Sequence, residues 1–139
     1  MTPQELRAAL TPHSRLLMLN SPCNPTGSVY TSNELRALAE VVLETDLLVL
    51  SDEIYEHLIY GDNQFAAFAS LHPALVDRTI TVNGCSKSYA MTGWRIGWAI
   101  GPVEIAKAMD NLQSQETSNP CSISQYRSEE RRVGKECRL

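Results

Sequence analysis

The sequence predicts an α/β domain built on a mostly parallel sheet, and two observations carry that prediction. Four short apolar runs, at residues 15–19, 46–50, 78–82 and 95–100, read as buried strands. Stretches with helical periodicity and capping signals precede, separate and follow them, the pattern expected when helices cover a sheet on both faces.

Thr2 with Pro3 and Glu5 supplies an N-cap, a first-turn proline and a capping box, so a short helix is expected to run to about Leu10. The run Arg15 to Leu19 is the first strand. Residues 20–27, NSPCNPTG, are dense in Asn, Pro, Ser and Gly and form a loop. Thr31 and Glu34 make a second capping box. Leu35, Leu38, Ala39 and Val42 then recur at helical spacing, which predicts an amphipathic helix over 32–45. Residues 46–50 form the second strand, and SDEIYEHLIYGDN after it is expected to be a loop with a short edge strand. The β-branched run at 78–82 is the third strand, Gly84 to Gly93 a polar loop, and 95–100 the fourth strand. Pro102 opens a final helix with Ile105, Met109 and Leu112 on one face.

Composition excludes several classes. With 43% apolar and 20% charged residues the chain is neither disordered nor collagen-like. No apolar run is long enough for a membrane span, and residues 1–10 lack the pattern of a secretory signal, so a cytoplasmic protein is expected. The net charge of −4 disfavours a nucleic-acid partner. Cys23, Cys85, Cys121 and Cys137 are scattered with no ligand spacing, so no metal site is expected. His13, His57 and His72 lie in separate segments and read as surface or packing residues.

Three polar clusters, at 20–24, 51–55 and 84–87, each follow directly on an apolar strand. Open α/β sheets bind ligands beyond the carboxyl ends of their strands, so the three clusters can converge on one site. Taken singly, their residues have ordinary readings. Lys87 would be a solvated surface lysine, Asp52 a turn or capping aspartate, Tyr55 a packing tyrosine, and Asn24 an Asx turn before Pro25. Taken together they offer different chemistry. Lys87 is a candidate Schiff-base amine, Ser86 and Arg95 candidate phosphate ligands, and Asp52 a candidate partner for a protonated heterocyclic nitrogen. Tyr55 reaches towards the same ring, and Asn24 offers an amide donor to a phenolic oxygen.

The ordered set NSPCNPTG, SDEIY and NGCSKSYAMTGWRIG resembles the motifs of fold-type I, pyridoxal-phosphate-dependent aminotransferases of class I/II, most closely the aspartate aminotransferase branch. The resemblance covers about residues 1–126 and implies the central part of the family's three-layer large domain. It implies pyridoxal 5'-phosphate as cofactor, amino-acid and 2-oxo-acid substrates (aspartate or aromatic type), and a homodimer. It also implies roles. Lys87 would form the Schiff base and move the substrate proton, and Asp52 would pair with the pyridine nitrogen. Tyr55 and Asn24 would bond the 3-oxygen, and Asn24 would also approach the substrate carboxylate. Ser86 and Arg95 would hold the phosphate. Gly27 and Gly93 would serve backbone turns. Ser118-Asn-Pro resembles a segment near the family's dimer interface.

Other parts of the family pattern have no counterpart here: an upstream glycine-rich phosphate turn, an upstream aromatic that stacks on the ring, and a downstream arginine that clamps the substrate carboxylate. Residues 127–139 carry a net charge of +2 against −6 for the rest, continue no helical or strand pattern, and resemble a reading frame of a sequencing adapter. They are expected to be a non-native tail in which Cys137 has no native meaning, and the isolated fragment is expected to be inactive. Two alternatives share the fold. One is a carbon–sulfur lyase, which would carry a histidine where Tyr55 stands. The other is the aminotransferase-like sensing domain of a transcription regulator, which would need an upstream helix-turn-helix.

Overall fold

The computed structural model describes residues 1–132, with side chains described to residue 129. The elements in chain order are α1 (Pro3–Ala9), β1 (Leu16–Asn20), α2 (Ser32–Leu43), β2 (Leu48–Asp52), β3 (Thr79–Gly84), the one-turn α3 (Cys85–Ser88), β4 (Gly97–Ile100), α4 (Val103–Glu116) and α5 (Ser122–Arg132). Short 3₁₀ turns at Phe68–Leu71, Pro73–Leu75 and Thr92–Trp94 punctuate the connections.

Both capping boxes form as expected. The Thr2 hydroxyl accepts from the Glu5 N–H at 3.2 Å while the Glu5 carboxylate accepts from the Thr2 N–H at 2.6 Å. Thr31 and Glu34 repeat the exchange at 3.3 and 2.7 Å, satisfying donors that a helix start otherwise leaves orphaned. A forked pair between Arg7 and Glu44 (Nη2 to Oε1, 2.8 Å) links α1 to the end of α2.

The sheet order is β1-β2-β3-β4; β1, β2 and β3 are parallel, and β4 runs antiparallel to β3. Paired residues share a face. Leu17 and Leu19 therefore lie beside Val49 and Ser51, the face on which α1, α2 and the Phe68 and Pro73 turns pack. Leu6, Leu19, Leu35, Leu38, Val41, Val42, Val49, Phe68 and Leu75 make that core.

Several expectations need correction. Among the described residues, cover on both faces is not found along β1, where Leu16 and Met18, on the face away from the core, are 46% and 71% exposed. A continuous apolar run cannot tell a strand buried on both faces from one buried on one. No edge strand forms in 53–67 among the described residues, because the chain turns at Ile54 rather than extending. The segment 84–93 is not a plain loop, since it contains α3 and the start of a 3₁₀ turn. α4 is not the final helix, and its apolar positions stay outside the core, with Leu112 at 62% exposure. The stretch RSEERR continues α5 through Arg132: Glu and Arg favour helix without giving an apolar stripe to read. Residues 133–139, Cys137 included, lie outside the described residues.

Leu38, fully buried on α2, is the most direct probe of this core. In the whole protein, Leu38→Ala is expected to lower the unfolding free energy by about 2–5 kcal/mol, read by urea denaturation.

Candidate functional site

The parallel register fixes where the polar clusters end. Asn20 is the Cα partner of Asp52, and Asp52 of Val82, so β1 and β2 finish side by side while β3 runs on to Gly84. The Asn20 amide and the Ser21 N–H both reach the Asp52 carbonyl, at 3.3 and 3.4 Å, and the Glu53 N–H extends the ladder to the Val82 carbonyl at 2.9 Å.

The loop after β1 folds over its own strand end. The Asn20 side-chain oxygen accepts from the Asn24 N–H at 3.1 Å, an Asx-type bond. The Gly27 N–H donates to the Cys23 carbonyl at 2.7 Å, with Gly27 at φ +70°, where a side chain would be strained. This brings the Asn24 amide within 3.3 Å of the Tyr55 hydroxyl, to which it donates. The phenol then keeps its own hydrogen for another acceptor.

After β2, the Asp52 carboxylate accepts from the Ile54 N–H at 3.2 Å and starts the turn that carries Tyr55. After β3, α3 begins at once. Its backbone approach is close: a Cβ on Gly84 would lie 2.8 Å from the Ile96 carbonyl oxygen and 3.1 Å from the Gly97 Cα. α3 carries Lys87, whose Nζ sits 5.4 Å from the centroid of the Tyr55 ring, a cation–π contact.

The turn into β4 holds the remaining cation. Arg95 adopts left-handed backbone angles (φ 55°, ψ 47°), an arrangement that costs a non-glycine residue of order 1 kcal/mol and tends to mark functional sites. Its Nη1 donates to the Thr92 carbonyl at 2.9 Å, and the Thr92 hydroxyl donates to the Ser86 carbonyl at 3.1 Å. Thr92 therefore ties together the two expected phosphate ligands.

The structure thus brings Asn24 and Lys87 each into contact with Tyr55, links Ser86 to Arg95 through Thr92, and places Asp52 at the end of β2 beside that of β1. Among the described residues, Lys87, Arg95 and Asp52 make no ion pair. Gly27 serves a turn as expected; Gly93 does so within the 3₁₀ turn, without a positive φ. The histidines stand apart, with His72 accepting from the Ala74 N–H at 3.1 Å and His57 facing Glu56. No cluster of metal-ligating side chains exists among the described residues.

Sequence reading missed Gly84, Thr92 and Glu53. Glu53 is buried, and its Oε1 accepts from the Ser51 hydroxyl and from the Phe68 N–H, both at 3.0 Å. Burial pushes its carboxyl above the ordinary value, against the pull of those two hydrogen bonds. Strand alternation was the available signal: Ser51 and Glu53 fall on the core face when Asp52 falls on the other.

The family model for aminotransferase class I and II matches residues 1–129. The chain belongs to this family. It is 54% identical over 127 residues to the aspartate/prephenate aminotransferase of Cereibacter sphaeroides, covering 91% of this chain and 32% of that protein. It is 52% identical over 126 residues to the aspartate aminotransferase of Geobacillus stearothermophilus, with the same two shares. The crystal structure of the aspartate aminotransferase from Rhizobium meliloti superposes with a TM-score of 0.89 at 51% identity, over 92% of this chain and 32% of that one. The chain thus spans about a third of the length of the relatives it matches.

Two outcomes follow for the whole protein. Gly84→Ala is expected to destabilise it by about 1–3 kcal/mol, measured by denaturant unfolding, because the clashing atoms are backbone. Glu53 has a raised folded pKa, so its stabilising contribution is full below the ordinary value of 4.5 and is lost as pH rises through the folded value. Thermal melts of wild type and Glu53→Gln should therefore diverge in favour of the variant across that rise, since the glutamine oxygen still accepts both hydrogen bonds.

Proposed function

We propose that the chain is the central part of the large domain of a pyridoxal-phosphate-dependent aminotransferase. The whole protein would transfer an amino group between an amino acid and a 2-oxo acid. The observation that carries this reading is the charge arrangement at the strand ends. Two cations, Lys87 and Arg95, and one anion, Asp52, lack ion-pair partners among the described residues. With the Tyr55 phenol and the Asn24 amide they form a donor set that fits this cofactor. The amine suits an aldehyde, the guanidinium and the Ser86 hydroxyl a phosphate, the carboxylate a protonated ring nitrogen, and the phenol and amide a ring oxygen.

When bound, the cofactor supplies an electron-withdrawing ring that disperses the charge left by breaking a bond at the amino acid Cα. The chain's own residues do the rest. The Lys87 amine would hold the cofactor's aldehyde carbon and, when free, would be the base placed to accept a proton from the substrate Cα. Asp52, fixed at the end of β2 and oriented by the Ile54 N–H, keeps the ring nitrogen protonated. Tyr55, already receiving a hydrogen bond from Asn24, directs its hydroxyl hydrogen to the ring oxygen. Arg95 and Ser86, coupled through Thr92, hold the phosphate as one unit.

Relatives at about half identity are named for aspartate and prephenate, which favours amino-group transfer over the lyase and regulator readings. Acidic or aromatic amino acids are the proposed substrates, and a homodimer the proposed assembly. No helix among the described residues is long and apolar enough to cross a membrane.

Asp52→Ala tests the reading. It leaves a ring charge unpaired at a cost on the order of 3–5 kcal/mol, so kcat of the whole protein should fall roughly 10²–10³-fold or more while cofactor stays bound. A variant with wild-type kcat would remove Asp52 from the site.

A further inference from the structure

Glu53 is the only charged side chain that is buried among the described residues, at 4% exposure, and the chemistry above does not use it. It stands between two residues that the chemistry does use, Asp52 and Tyr55. Its side chain turns to the core face, where one oxygen, Oε1, accepts from Ser51 in the same strand and from the N–H of Phe68, fifteen residues on. Phe68 is itself 1% exposed and opens the 3₁₀ turn that packs on α2 and β3. At its other end Glu53 is tied by its own N–H to the Val82 carbonyl. One oxygen atom therefore closes the neck of the segment 53–67, joining its entry to its exit against the core.

Tyr55 sits two residues inside that neck. Among the described residues, the hydrogen bond to its phenol is the 3.3 Å bond from Asn24, which comes from an exposed loop and is long for a neutral pair. A bond of that kind cannot fix the ring beneath Lys87, whereas two bonds to a buried acceptor at 3.0 Å can. We propose that Glu53 is a positioning residue that holds the Tyr55 phenol in register with Lys87 and the cofactor by clamping both ends of the 53–67 segment. This rests on the reading of Lys87 and Tyr55 as cofactor-binding residues.

The test is a pH titration of the visible absorbance of the whole protein loaded with pyridoxal phosphate. It compares wild type, Tyr55→Phe, Glu53→Ala, Glu53→Gln and the double variant Glu53→Ala/Tyr55→Phe. Loss of a donor to the ring oxygen disfavours its ionised form, so Tyr55→Phe should raise the midpoint by about one pH unit. Glu53→Ala should raise it in the same direction, and the double variant no further than Tyr55→Phe alone, since the clamp acts through the phenol. Glu53→Gln, which keeps the accepting oxygen, should hold the wild-type midpoint. Should Glu53→Ala fail to fold, Glu53→Asp keeps the charge but withdraws the oxygen from the Phe68 N–H and should raise the midpoint likewise. A wild-type midpoint in whichever of these two folds, or additive shifts in the double variant, overturns the proposal while leaving the cofactor reading intact. Wild type that gains no visible band, or Tyr55→Phe that shifts nothing, overturns the cofactor reading and the proposal with it.

Discussion

The register of three parallel strands is the constraint on which the site depends. Asn20, Asp52 and Val82 are in register, and the Asp52 carbonyl is shared by the Asn20 amide and the Ser21 N–H. A slip of one residue in β2 would swing Asp52 to the core face and Ser51 out of it, because side chains alternate along a strand. Register here is held by burial. Val49 and Ser51 face the helices on one side of the sheet, so the position of Asp52 is set by the same apolar packing that stabilises α2.

The loops then work at short range. Each begins within a residue or two of its strand end and is closed by its own hydrogen bonds: Asn20 to Asn24, Asp52 to Ile54, and Thr92 to Ser86. Close backbone contact at Gly84 and the left-handed turn at Arg95 let the third loop stay compact while presenting an amine and a guanidinium. Two cations and a carboxylate without ion-pair partners among the described residues would suit a ligand that carries both signs of charge.

Much of this was legible in the sequence. Both capping boxes, the helical spacing of Leu35, Leu38, Ala39 and Val42, and the strand runs each stated their own structure through local rules. The meeting of the loops that carry Asn24, Tyr55 and Lys87 was legible because three polar clusters follow three apolar strands. What was hidden depends on contacts between distant residues. Glu53 looks like one more acid in an acidic loop until Phe68, fifteen residues away, is seen to need its oxygen. Gly84 looks like a loop glycine until Ile96 and Gly97 come up against it. Coverage of β1 was misjudged because an apolar residue such as Met18 reads as buried whether or not anything packs on it. The helix through Arg132 was missed because a helix polar on all sides leaves no period to read.

The central claim is that the amine of residue 87, beside the Tyr55 ring, is the group that engages an aldehyde at these strand ends. Borohydride reduction of the whole protein after incubation with pyridoxal phosphate, followed by peptide mapping, tests it most directly. One stable pyridoxyl label, on Lys87, is expected. A label on any other lysine, with Lys87 unmodified, would contradict it.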